Sequence, residues 1–124
     1  MGWTLTEMAT REDVARKLEA MWPDPQLRRE ALSELQRYGD EPHEREPERV
    51  RLAILKLCEG RLERVVELVV GAKRDYRDVL MAAEYPSEAQ ALWSLRPKLT
   101  EDERRRLEDL RRQDRHQYLE WLKR

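Results

Sequence analysis

The chain has one cysteine, Cys58, no phenylalanine, only four glycines and two histidines among its 124 residues. A single thiol excludes an intramolecular disulfide, and with it the stapled scaffold of small secreted domains. Four glycines leave no Gly-x-Gly-x-x-Gly turn, phosphate loop or Gly-x-Ser-x-Gly elbow, so nothing points to nucleotide-dependent or serine-nucleophile catalysis. His43 and His116 have only the carboxylates Glu41, Glu44 and Glu120 as nearby ligand types, which is no zinc spacing. Uncharged runs in the middle of the chain, such as Leu68–Ala72, fall far short of the roughly 20 apolar residues a membrane span needs. The first residues carry neither a basic region nor an apolar one of the secretory kind. The cytoplasm is the expected location, and neither cofactor nor metal is expected.

An excess of charge of one sign is also missing. There are 25 basic and 26 acidic residues, for a net charge of -1, so no global field draws in phosphate polymers. What is abundant is charge itself: 41% of residues are charged against 40% hydrophobic, which implies a dense ionic surface around one core. The length suits a single domain, 1–124, with residues 1–9 read as an N-terminal leader.

Hydrophobic periodicity predicts an all-α fold. Thr10 with Asp13 resembles a capping box, and Val14, Leu18, Met21 and Trp22 follow at helical spacing until Pro23, giving a helix over 10–22. Asp24 as N-cap and Pro25 at the first helical position open a second helix, 25–38, with Leu27, Ala31, Leu35 and Tyr38 on one stripe ending at Gly39. Residues 40–47, with two prolines and almost no apolar side chain, read as a linker that packs no core. From Pro47 to Cys58 the sequence is apolar on most sides, as expected of a central helix, and Cys58 reads as a core thiol. Beyond the cap at Glu59-Gly60, Leu62, Val65, Val66, Val69, Tyr76, Leu80 and Ala83 keep register, predicting one long helix over 61–84 with a kink at Gly71. Pro86 ends it, Ser87 and Gln90 open a short helix bearing Ala89, Leu92 and Trp93, and Thr100 and Glu103 cap a last helix running to about 122. The expected architecture is an irregular bundle of about five helices.

The densest polar cluster is Lys73, Arg74, Asp75, Arg77 and Asp78 around Tyr76, with Glu84 and Tyr85 beyond. Asp75 and Asp78, three apart on one helical side, could with Glu84 act as an acid–base pair or cation site, but the ligand set is incomplete and ion pairing explains the same residues. Arg77 and Glu84 are candidates to tie neighbouring helices together. Arg104, Arg105, Arg106, Arg111, Arg112 and Arg115 make the last helix the best basic element, the basis of an alternative reading as a weak nucleic-acid binder. Yet Glu101, Asp102 and Glu108 each precede an arginine by four residues, which pairs off much of that charge. Trp3, Met8, Trp93, Tyr118, Leu119, Trp121 and Leu122 exceed what one face of short helices buries, and aromatic residues near chain ends suit an interface.

The stretch from Tyr38-Gly39 through Glu46-Pro47-Glu48-Arg49-Val50-Arg51-Leu52-Ala53-Ile54-Leu55-Lys56-Leu57 to Asp75-Tyr76-Arg77-Asp78-Val79-Leu80 and Ala83-Glu84-Tyr85-Pro86 resembles a group of small, uncharacterised bacterial helical proteins. The resemblance implies a bacterial source and one unit over 38–86, and carries no activity with it. The sequence therefore suggests a small non-enzymatic protein-interaction module, acting on a protein partner or as a homodimer through Asp75, Tyr76, Arg77, Asp78, Glu84, Tyr118 and Trp121.

Overall fold

A computed structural model describes residues 9–93 and 98–124, with the side chain of Trp93 left out. Among the described residues there are seven helices and no strand: α1 (Arg11–Met21), α2 (Pro25–Leu35), α3 (Pro47–Cys58), α4 (Leu62–Arg74), α5 (Tyr76–Glu84), α6 (Pro86–Trp93) and α7 (Glu101–Lys123). The all-α class is as expected, and the count exceeds five. No helix among the described residues is long and apolar enough to cross a membrane.

Local chemistry sets most helix starts. Thr10 and Asp13 form a reciprocal capping box, Asp24 accepts from the Gln26 N–H ahead of Pro25, and Thr100 and Glu103 form a second box. The expected 61–84 helix is two helices, and the break falls at Asp75, not Gly71. Asp75 takes an extended backbone, φ -156° and ψ 100°, donates its N–H to the Gly71 carbonyl to close α4, and accepts from the Arg77 N–H to open α5. A short polar side chain that caps its own following turn outweighs continued helical register there. The second helix stops at Leu35, and turn residues carry the chain to Gly39 at φ +109°.

α3 is the central helix, packed against α1, α4 and α5, while α7 lies across α5 and α6. Leu52, Ala53, Ile54, Leu55 and Cys58 of α3 are fully buried among Val14, Leu18, Ala31, Leu35, Val65, Val69, Ala83 and Tyr118. Burial pushes the Cys58 thiol up, as expected for an inert core residue.

The 40–47 segment is not the coreless linker its composition suggests. Glu44 is buried and binds the loop together: its carboxylate accepts from the N–H groups of Gly39 (2.8 Å) and Asp40 (3.2 Å) and from Lys73 Nζ (3.0 and 3.1 Å) on α4. Burial alone would raise its pKa, yet these donors hold the carboxyl below the usual range. Tyr38 Oη donates to the Arg45 carbonyl (2.8 Å), and Arg51 donates to the Tyr38 (2.7 Å) and Leu35 (3.3 Å) carbonyls. This framework holds Glu46, which directly precedes Pro47, in the left-handed region at φ +50°, a conformation that the following proline disfavours.

Candidate protein-interaction surface

The anticipated polar cluster forms at the α4–α5 junction, but its members are partly engaged in building it. Arg77 donates to Asp75 from its backbone N–H (3.1 Å), Nε (3.1 Å) and Nη2 (3.3 Å), and this pairing holds the Asp75 carboxyl below its usual range. Around the junction His43, Ala72, Lys73, Arg74, Asp75, Tyr76 and Arg77 line a shallow pocket of about 230 Å³. Asp78 is exposed, and Tyr76 packs half-buried against the core.

Glu84 does not join them. It is completely buried and forms a two-pronged pair with Arg49 of α3, Nε to Oε2 at 2.8 Å and Nη2 to Oε1 at 2.7 Å, while Glu46 holds the outer side of Arg49 at 3.1 Å. The expected Arg77–Glu84 tie is thus replaced by Arg77–Asp75 and Arg49–Glu84. Among the described residues no group of three or more His, Cys, Asp or Glu is placed to hold a metal ion.

The aromatic residues of the last helix serve the interior. Tyr118 and Leu122 lie in the core, and Trp121 packs half-buried beside them, its ring centroid 5.6 Å from that of Tyr118. Lys17 of α1 sits 4.4 Å above the Trp121 ring and donates to the Trp121 carbonyl and to that of Arg124 (3.0 Å). Arg16 reaches the carbonyls of Leu122 (2.7 Å) and Lys123 (3.4 Å). Two cations of α1 therefore cap the negative end of the α7 dipole. Burial, with the charges of Arg16 and Arg124, lowers the Lys17 pKa. Trp3 and Met8 lie outside the described residues, as does the Trp93 side chain.

The basic ridge of α7 is similarly drawn on. Arg105 pairs with Glu101 (3.5 Å), as its spacing predicts, but Arg112 takes Asp109 (2.7 Å) and Arg111 crosses to Glu88 of α6 (3.4 Å) while stacking 5.0 Å from the Tyr85 ring. Asp114 of α7 accepts from the N–H groups of Ser87 (3.2 Å) and Glu88 (2.9 Å), so the N-terminus of α6 is capped from another helix by a residue far along the chain.

The apolar surface that remains lies elsewhere, on α4. Val65, Val69 and Ala72 face the core, which turns Val66 and Val70 outward, 40% and 55% exposed. Beside them runs a groove of about 410 Å³ between α2 and α4, lined by Glu34, Arg37, Asp40, Val66, Val69, Val70 and Lys73. Its rim is held in place: Lys73 Nζ donates to the Arg37 carbonyl (2.8 Å) as well as to Glu44, and Arg37 pairs with Glu34 (3.3 Å). Lys73 lines both this groove and the pocket at Tyr76, so one continuous surface runs from Val66 on α4 across the junction to Arg77 on α5. Val66 and Val70, four residues apart, sit to one side of the core-facing Val65, Val69 and Ala72 around the helix, an offset that four valines within six residues hide in the sequence. A further cleft of about 470 Å³, lined by Ser87, Gln90, Ala91, Glu103, Arg106, Leu107 and Leu110, lies between α6 and α7. Comparison with protein-family models, curated proteins and solved structures finds no match.

Proposed function

We propose that this chain is a non-enzymatic helical interaction module that binds a protein through α4, with Val66, Val70 and the α2–α4 groove as the apolar centre and the Tyr76 pocket as the polar flank. The observation that carries the reading is the exposure of two β-branched apolar side chains on a helix whose other face is fully committed to the core. A rigid groove with alternating acidic and basic rim residues, Glu34, Arg37, Asp40 and Lys73, suits the recognition of an amphipathic helix. Binding rather than catalysis is further supported by the structural employment of the best catalytic candidates, Asp75 in a helix cap and Glu84 in a buried ion pair.

The test is the double variant Val66→Glu/Val70→Glu. Both positions are exposed, so thermal stability should stay close to that of the parent chain. The variant should lose self-association, or lose a protein that co-purifies with the parent chain. An unchanged solution mass together with an unchanged set of co-purifying proteins would overturn the reading.

A further inference from the structure

We infer that the partner recognised by α4 is a second copy of this chain, docked antiparallel about a two-fold axis near residue 68; this rests on the interaction reading above and names its occupant. The outermost stripe of α4 is Glu63, Glu67, Val70 and Arg74, spaced four, three and four residues apart, the spacing of a helix–helix seam. Val66 flanks the stripe on one side and the exposed Gly71 on the other.

Charge decides the orientation. The acidic residues of the stripe fall in its first half and Arg74 ends it, so a parallel copy would set Glu63 on Glu63. An antiparallel copy sets Glu63 against the partner's Arg74 and brings the partner's Val70 between Val66 and Glu67. A two-fold axis makes every such contact twice, so one self-complementary stripe supplies both halves of the interface. Arg74 forms no ion pair among the described residues, whereas Glu63 and Glu67 are held only by exposed neighbours, Arg61 at 3.0 Å and Arg64 at 2.7 Å. Such exposed pairs exchange partners at little cost.

Two more features fit a copy of the same chain. Nothing lies within 4 Å of the position a Cβ on Gly71 would occupy, so open space adjoins the stripe and a facing side chain can approach the backbone there. The net charge of -1 imposes almost no repulsion between copies.

The decisive experiment is sedimentation equilibrium on the full chain, the variants Glu63→Arg and Arg74→Glu, and the double reversal. The parent chain should dimerise, each single reversal should weaken the dimer by about tenfold or more because like charges then meet twice, and the double reversal should restore it to within a few-fold. Both positions of change are solvent-facing, and thermal melts confirm that each protein is folded. A monomeric parent chain over about a hundredfold concentration range, or a double reversal as weak as the single variants, would overturn the inference. If the parent is monomeric but Val66→Glu/Val70→Glu loses a co-purifying protein, the second-copy inference fails while the interaction reading stands.

Discussion

Replacing Arg49 with methionine should be among the most damaging single changes in the chain. The substitution removes both bonds to Glu84, whose carboxylate is completely enclosed, and keeps the aliphatic bulk of the side chain. Breaking a buried pair from one side leaves an uncompensated charge and costs about 3–5 kcal/mol. The parallel loss of the Arg49–Glu46 contact adds little, since Glu46 is within reach of water. Against a domain stability of about 5–15 kcal/mol, that is a large share. Glu84→Gln should cost less, about 1–3 kcal/mol, because Arg49 keeps Glu46 and some solvent. Arg49→Met/Glu84→Leu removes both charges and should be more stable than Arg49→Met alone, with a coupling of about 2 kcal/mol or more. Urea unfolding of these four proteins and of Glu84→Leu, which closes the cycle, at neutral pH measures this, provided the m-values agree. An Arg49→Met cost under about 1 kcal/mol, or strictly additive costs, would refute the assignment of Arg49–Glu84 as a buried, mutually dependent pair.

Three smaller perturbations probe other parts of the framework. Glu59 ends α3 at φ +53°, so Glu59→Gly should stabilise the fold by up to about 1 kcal/mol in the same urea assay; a loss of stability would argue against the left-handed cap. Tyr118 Oη is buried without a hydrogen-bond partner among the described residues, so Tyr118→Phe should be neutral or stabilising by about 1 kcal/mol, and marked destabilisation would reveal a partner for that hydroxyl. Glu44, with its depressed pKa, stabilises the fold above the unfolded-state value and loses that contribution as pH falls through the lower folded-state value. Glu44→Gln should therefore be less stable by about 1–3 kcal/mol at neutral pH and converge on the parent chain in acid; a difference independent of pH would contradict the role given to its charge.

The parts of the fold that were legible in the sequence are those set by neighbours along the chain. Thr10 with Asp13, Asp24 with Pro25, and Thr100 with Glu103 each act within one helical turn, and each starts a helix where its spacing says. The dense apolar run after Pro47 likewise marks the central helix, because little else can absorb so many buried positions. Asp75 was harder to read, since the apolar register continues from Val69 to Leu80 across a break that only a side-chain cap explains. Buried carboxylates were poorly legible. Glu84 reads as a helix-tying residue but with Arg77 instead of Arg49, Glu44 and Asp114 look like members of a charged surface, and the true partners, Arg49, Lys73 and the Ser87 and Glu88 N–H groups, are far away in sequence.

The candidate surface shows the same division. The Asp75–Asp78 region was visible as a cluster of charge around Tyr76, and the structure forms a pocket there. Tyr118 and Trp121 drew attention as terminal aromatics, yet α1 lies against the last turns of α7 through Lys17 and Arg16 and gives those rings an interior role. Val66 and Val70 were obscured by their neighbours, because four valines within six residues read as core until the packing of α2 and α3 selects which of them face inward.

The measurement that bears most directly on α4 as a binding surface is the solution mass of the parent chain and of Val66→Glu/Val70→Glu, taken by light scattering on the same concentration series with co-purifying proteins identified from the same preparations. An association present in the parent chain and absent from an equally stable variant is the predicted result. Identical masses and identical companions for the two proteins would contradict it.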